Sequence, residues 1–153
     1  MAEPFNFETD SEIRCREFKI GCIGAGFIMA DVQLSAYAMA RFPVVAIASR
    51  RVEKAGEVAN RWKIPTVHQT PRQLIEDPSV EIVDIAFPPD QQPELIRHAL
   101  KQEHVRGILA QKPLAMDFWL AKALVEEAAA AAASLDEQAE RLRDTVKVFR
   151  VEA

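Results

Sequence analysis

Apolar positions along the chain change period several times. "FKIGCIG" (18–24) is a short apolar run closed by glycine and reads as a strand. From Ile28 to Arg41 the residues Ile28, Val32, Ala36, Met39 and Ala40 recur at helical spacing, which predicts a helix with that face inward. Pro43 ends it, and "VVAIAS" (44–49), rich in β-branched residues, reads as a second strand. "RVEKAGEVANRWK" (51–63) predicts a helix with Val52, Ala55, Val58, Ala59 and Trp62 on one side. Pro65 breaks it before a short third strand, "TVH" (66–68). Thr70 and Pro71 read as the N-cap and first helical position of a helix over 70–77. "VEIVDIAF" (80–87) is a fourth strand stopped by Pro88 and Pro89, "PELIRHALKQ" (93–102) a helix, and "GILAQ" (107–111) a fifth strand. Asp117 then caps a last helix.

Strands alternating with helices at this spacing predict parallel strands joined by right-handed crossovers. The strands are near-continuous apolar runs, as expected where helices cover both faces. The expected fold class is therefore α/β: a doubly wound, Rossmann-like parallel sheet in a single domain with a long C-terminal helix. Ligands are expected at the carboxyl ends of the strands. The expected boundaries are a flexible leader at 1–17, the sheet domain at 18–128 and a helical tail at 129–153.

The chain has 153 residues, 49% hydrophobic and 27% charged, which fits one domain with a substantial core. The net charge of −4 is spread over interspersed acids and bases. It offers no basic field for nucleic acid and no polybasic cluster for an anionic membrane. "MAEPFNFETDSEIR" at the start is acidic and lacks an apolar run, and no apolar run approaches the roughly 20 residues of a membrane span. A cytoplasmic location is the expectation. Cys15 and Cys22 do not make a disulfide framework, and Cys22 reads as a reduced core residue.

The chemistry concentrates after the first strand. Gly24 and Gly26 stand between a strand and a helix, the context in which such glycines cradle a dinucleotide. Gly24 permits a tight turn, and Gly26, without a Cβ, lets the backbone approach a pyrophosphate held by the next helix N-terminus. Met29 stands where a third glycine is usual, so the helix is expected to sit slightly outward, with Ala30 partly substituting. A glycine turn without a ligand is the alternative. After strand two, where an NAD-specific site carries an acid, the chain reads Ala48-Ser49-Arg50-Arg51. Ser49 can hydrogen-bond a 2′-phosphate, and Arg50 can pair with it and stack on adenine, which favours NADP over NAD. The alternative is a pair of solvated helix-start arginines.

Gly24-Ala25-Gly26-Phe27-Ile28, Ser49-Arg50 with Glu53-Lys54-Ala55, Phe87-Pro88-Pro89 and Gln111-Lys112-Pro113-Leu114-Ala115 together resemble the N-terminal domain of the glucose–fructose oxidoreductase/inositol dehydrogenase (Gfo/Idh/MocA) family. The resemblance covers about Lys19 to Ala128. It implies that Gly24, Gly26, Phe27, Ile28, Ser49, Arg50, Phe87, Pro88, Pro89, Gln92, Gln111 and Lys112 line the cofactor. It also implies that Lys112 lies near the nicotinamide and helps position or protonate a sugar- or polyol-type substrate. Gln111 replaces the glutamate of the family's Glu-Lys-Pro, and Gln92 takes the place of a family histidine. Taken without the resemblance, Lys112 can equally be an exposed charge at a strand end. Family members continue into a second domain that forms a wall of the substrate pocket, so a truncated chain, inactive alone, is the expectation.

From about Ala128 the sequence becomes alanine-rich. Ser134-Leu135-Asp136-Glu137-Gln138-Ala139, with Val146 and Phe149-Arg150, resembles the carboxyl end of bacterial chemoreceptor signalling domains. Leu135, Ala139, Leu142, Val146 and Phe149 form a 4-3-4-3 stripe, which predicts pairing as a homodimer; a frayed tail is the alternative. Three functions remain open: a domain that binds NADP or NAD without turnover, an oxidoreductase completed by a partner chain, and a redox-sensing interaction protein.

Overall fold

The computed structural model describes residues 15–148, without the side chains of 135, 136 and 138–148. Leader residues 1–14 and the stripe Leu135, Ala139, Leu142, Val146 and Phe149 thus lie outside the described side chains. Five strands, β1 (Ile20–Ile23), β2 (Val44–Ala48), β3 (Thr66–His68), β4 (Ile82–Ile85) and β5 (Gly107–Ala110), make one parallel sheet in the order β3-β2-β1-β4-β5. The helices are α1 (Leu34–Ala40), α2 (Val52–Trp62), α3 (Pro71–Ile75), α4 (Gln92–Ala99) and α5 (Phe118–Val148). This is the doubly wound α/β sheet that the alternation of elements predicts. Two apolar clusters cover its faces, one containing Ile23, Leu74, Val83, Ile85 and Leu124, the other Cys22, Met29, Leu34, Ile47 and Val58.

Several local expectations hold. Ala55, Val58 and Ala59 are buried on the inner side of α2, with Val52 and Trp62 half-buried. Thr70 Oγ1 accepts the Gln73 N–H at 3.2 Å ahead of Pro71, and Asp117 Oδ1 accepts the Leu120 N–H at 2.9 Å. Each cap occupies a donor that the first helical turn leaves without an intrahelical partner. Buried Leu124 and the two hydrogen bonds from Arg97 to Glu127, 2.8 and 2.9 Å, fasten the first turns of α5 to the domain.

The first helix departs from its predicted face. Ile28, Val32, Ala36 and Met39 are exposed, whereas Met29, Ala30 and Leu34 are buried. A π-helical turn over Ile28–Gln33 runs into α1, with the Leu34 N–H donating to Met29 O. An i→i+5 turn holds one residue more than an α turn, so every later position is rotated relative to the 3.6-residue pattern. Met29 is fully enclosed beneath this turn, packed with Cys22, Ala30, Leu34 and Ile47. The wide turn is braced by the indole N–H of Trp62, which donates to Ala30 O at 2.8 Å, and by the Arg61–Asp31 pair at 2.6 Å.

A buried carboxyl anchors the same helix. Asp84 of β4 is fully enclosed and accepts from Tyr37 Oη at 2.6 Å and from Gln33 Nε2 at 3.1 Å. Burial raises its pKa above the usual carboxylate value, against the opposing effect of those two hydrogen bonds. Neighbouring Cys22, paired with Asp84 across the sheet, has its thiol pKa pushed up by burial and then by the Asp84 charge. It therefore stays a protonated core thiol. A carboxyl whose folded pKa exceeds its unfolded value opposes folding at neutral pH, and that opposition fades as pH falls through the folded pKa. Asp84→Asn carries no such charge. Its stability relative to the parent is therefore expected to be most favourable near pH 7 and to decline as pH falls toward about 4. Urea unfolding of both proteins across that range checks this.

Candidate functional site

The registers Ile23↔Ala48 and Ile23↔Ile85 end three strands level with one another. Gly24, Ser49 and Ala86 are consequently the first residues past the sheet. The Gly24 N–H donates to Ala48 O and the Ala86 N–H to Ile23 O, each at 2.8 Å, which ties the three strand ends together. Sheet order places this point where the chain leaves β1 toward β2 on one side and β4 on the other. That crevice is where open α/β sheets hold ligands.

Gly24 and Gly26 are glycines for different reasons. Gly24 has φ +124°, and a Cβ there would lie 2.4 Å from Ala86 O, so the turn itself demands glycine. A Cβ on Gly26 would meet nothing within 4 Å. Among the described residues no packing accounts for Gly26, which lines the crevice described below. Above it begins the helical stretch 28–40, whose first amides lack intrahelical acceptors. Such a cradle suits a diphosphate.

The crevice is a cavity of about 470 Å³ lined by Gly24, Ala25, Gly26, Ser49, Arg50, Arg51, Lys54, Ala86, Phe87 and Pro88. Six residues assigned from the sequence, Gly24, Gly26, Ser49, Arg50, Phe87 and Pro88, thus meet in one place. Arg51 and Lys54 join them without having been assigned. Lys54 had a signal: it lies in the first turn of α2, directly after the Arg50–Arg51 pair at the end of β2. The lining contains three cations and no carboxylate, and among the described residues none of the three cations is in an ion pair. In a chain of net charge −4, this is a local positive site. The Arg50 guanidinium instead lies over the Phe87 ring, 5.5 Å from its centre.

The other assigned residues are placed elsewhere. Phe27 and Ile28 are exposed at the outer edge of the first turn. Gln92 is fully buried, and its Nε2 donates to the carbonyls of Gln111, Pro113 and Leu114 at 2.8, 3.1 and 3.2 Å. It braces the segment after β5 and does not face the cavity lining. Half-buried Gln111 donates its N–H to Ile85 O at 3.0 Å. Lys112 is exposed just beyond β5, on the opposite side of β1 from the Ser49–Arg50 segment. Pro89 is half-buried outside the lining. Among the described residues no cluster of His, Cys, Asp or Glu could hold a metal ion, and no helix is long and apolar enough to cross a membrane.

The sheet order, the glycine turn and the cationic crevice together define a dinucleotide-binding α/β domain. The chain belongs to the Gfo/Idh/MocA oxidoreductase family, whose NAD-binding Rossmann-fold domain matches residues 18–150. It is 29% identical over 99 residues to trans-1,2-dihydrobenzene-1,2-diol dehydrogenase from Mus musculus, covering 63% of this chain and 29% of that protein. Among solved structures it resembles a 3-ketoreductase from Actinomadura kijaniata in complex with NADP and TDP-benzene. That match has a TM-score of 0.66 and 31% identity over 74% of this chain and 34% of the other. Levoglucosan dehydrogenase in complex with NADH and levoglucosan matches with a TM-score of 0.63 and 30% identity over 72% and 31%. The chain spans about a third of the length of these relatives.

The two glycines are expected to separate on mutation. Gly24→Ala should destabilise the fold by about 2 kcal/mol or more through backbone strain and the Ala86 clash. Gly26→Ala should change stability by less than about 0.5 kcal/mol yet weaken dinucleotide binding at least about tenfold. Urea unfolding and titration of a reduced nicotinamide dinucleotide by fluorescence measure the two effects.

Proposed function

We propose that this domain binds NADP in preference to NAD and presents it for hydride transfer at a CH–OH group of a sugar- or polyol-like substrate. The observation that carries the cofactor choice is the crevice lining: Ser49, Arg50, Arg51 and Lys54 at the end of β2, with no acid among them. A carboxylate at this place would grip both ribose hydroxyls of NAD and repel a 2′-phosphate. A hydroxyl and a planar guanidinium favour the phosphate. Relatives bound to NADP and to NADH show that the family's domain accommodates both, so the local charge decides.

The substrate class is supported by the names of the relatives, which act on a dihydrodiol and on levoglucosan. Lys112 supports the same reading: it stands exposed past the carboxyl end of β5, on the side of the crevice away from the adenosine-side cations. An ammonium there can hydrogen-bond a substrate oxygen and give or take its proton as hydride leaves or arrives. Hydride transfer also needs the substrate carbon fixed over the nicotinamide and shielded from water. This crevice is open, so turnover needs a further protein surface to close the site around the substrate.

Helix α5 supports a pairing role for the 129–153 segment. It continues as one helix for 31 residues, about 46 Å, and exposes Phe118 and Trp119 at its start. The chemoreceptor-like residues of that segment fit the same reading. Homodimers are expected by analytical ultracentrifugation and should revert to monomers when residues 134–153 are removed; monomers in both samples would exclude pairing through the helix.

For the cofactor, Arg50→Ala should weaken NADPH about 10- to 100-fold, the loss of a charge-assisted phosphate contact, while NADH changes only a few-fold. Equal losses in fluorescence titrations would remove the case for NADP.

A further inference from the structure

We infer that the face of α5 along Phe118, Val125 and Ala132 is a docking seam for the α5 helix of a second copy of this chain. This rests on the pairing reading above and deepens it, because it places the contact on the half of the helix that stands against the domain. Phe118, Val125 and Ala132 are seven residues apart and all exposed. Three residues on, Ala121 and Ala128 make a second line of sevens, half-buried at the border with the domain. Two such lines are the a and d positions of a heptad, the pattern by which helices pair. The sequence carries both lines on without a break, one through Ala139 and Val146, the other through Leu135, Leu142 and Phe149. Leu124 belongs to neither line and is buried in the domain's own core.

The seam has an anchor and a trough. Phe118 and Trp119 are 68% and 73% exposed and meet edge to face, their ring centres 5.2 Å apart. Each ring steadies the other, while the Asp117 cap, Leu124 and the Arg97–Glu127 hydrogen bonds hold the helix beneath them. Such an anchor needs little ordering on contact. Lower on the helix, Ala128, Ala131 and Ala132 border a cavity of about 280 Å³ that Leu100, Val105 and Ile108 also line. Small side chains on this side leave room for the larger ones of an approaching helix. The aromatic pair exposes roughly 300 Å², whereas a stable interface covers about 800 Å² on each partner. The rest has to come from the length of the helix. From 118 to 132 neither line holds a charge, so a charged partner gains nothing there. A partner must instead present an apolar stripe of the same period along a helix of 31 residues. A second α5 does so, and a twofold arrangement buries the same lines on both copies.

Sedimentation equilibrium of the full chain compares wild type with Phe118→Ala, Ala132→Glu and Ala130→Glu. Ala130 and Ala132 are both exposed. At about 100° per residue they point about 200° apart, so the same charge enters the seam in one variant and the far side of the helix in the other. Phe118→Ala and Ala132→Glu are each expected to raise the dimer dissociation constant at least about tenfold. Ala130→Glu is expected to match wild type, and all three variants to keep wild-type helix content by circular dichroism. Wild-type dimerisation of both Phe118→Ala and Ala132→Glu would overturn the seam and leave pairing through residues 134–153 standing. Equal weakening by Ala130→Glu and Ala132→Glu would overturn it by showing that a charge anywhere on the helix disturbs pairing. A wild-type chain that stays monomeric at every concentration would overturn both.

Discussion

The close approach of two strand ends governs this molecule. Gly24 turns off β1 at φ +124° with the Ala86 carbonyl where any Cβ would have to lie. Hydrogen bonds from the Gly24 and Ala86 amides lock β1 between β2 and β4 at one level. That level edge brings segments 25 residues and more apart in sequence around a single crevice. A side chain at Gly24 would push β1 and β4 apart, and the crevice would lose its shared rim. Gly26, only two residues on, meets no such demand from the protein. Among the described residues nothing lies where its Cβ would stand.

The crevice is also a local concentration of positive charge. The chain as a whole is acidic, and its described surface bases are often neutralised: Arg61 by Asp31, Arg72 by Glu94 and Arg97 by Glu127. Arg50, Arg51 and Lys54 are outside those pairs, gathered at one strand end beside a hydroxyl. Unpaired cations repel one another, a cost that a polyanionic ligand relieves. The Arg50–Phe87 contact keeps one of them in place meanwhile.

Beneath the crevice the first helix is held by polar contacts as well as apolar packing. Asp84 takes hydrogen bonds from Gln33 and Tyr37, Trp62 supports Ala30, and Met29 fills the space below the π-helical turn. Where a glycine would allow close helix–strand packing, this protein has a large side chain and a wider turn.

Much of the architecture was legible in the chain. Five apolar runs, the prolines at 43, 65, 71 and 88, and the Thr70 and Asp117 caps report on local backbone preference and burial, which depend on neighbouring residues. Gly24, Gly26, Ser49, Arg50, Phe87 and Pro88 were legible as well, because strand-to-helix turns in a parallel sheet converge on one edge. The buried face of the first helix was not, since which side of it turns inward is set by packing with Cys22 and Ile47 of the sheet. Nor was the structural role of Gln92: its amide is committed to carbonyls about 20 residues away, a partnership only folding creates. The sequence by itself determined the sheet, its order of elements and the glycine turn, because those follow from periodicity and φ. Tertiary structure alone decided which cations stand unpaired around the crevice and which ring Arg50 covers, because both depend on distances between segments that meet only when β1, β2 and β4 align.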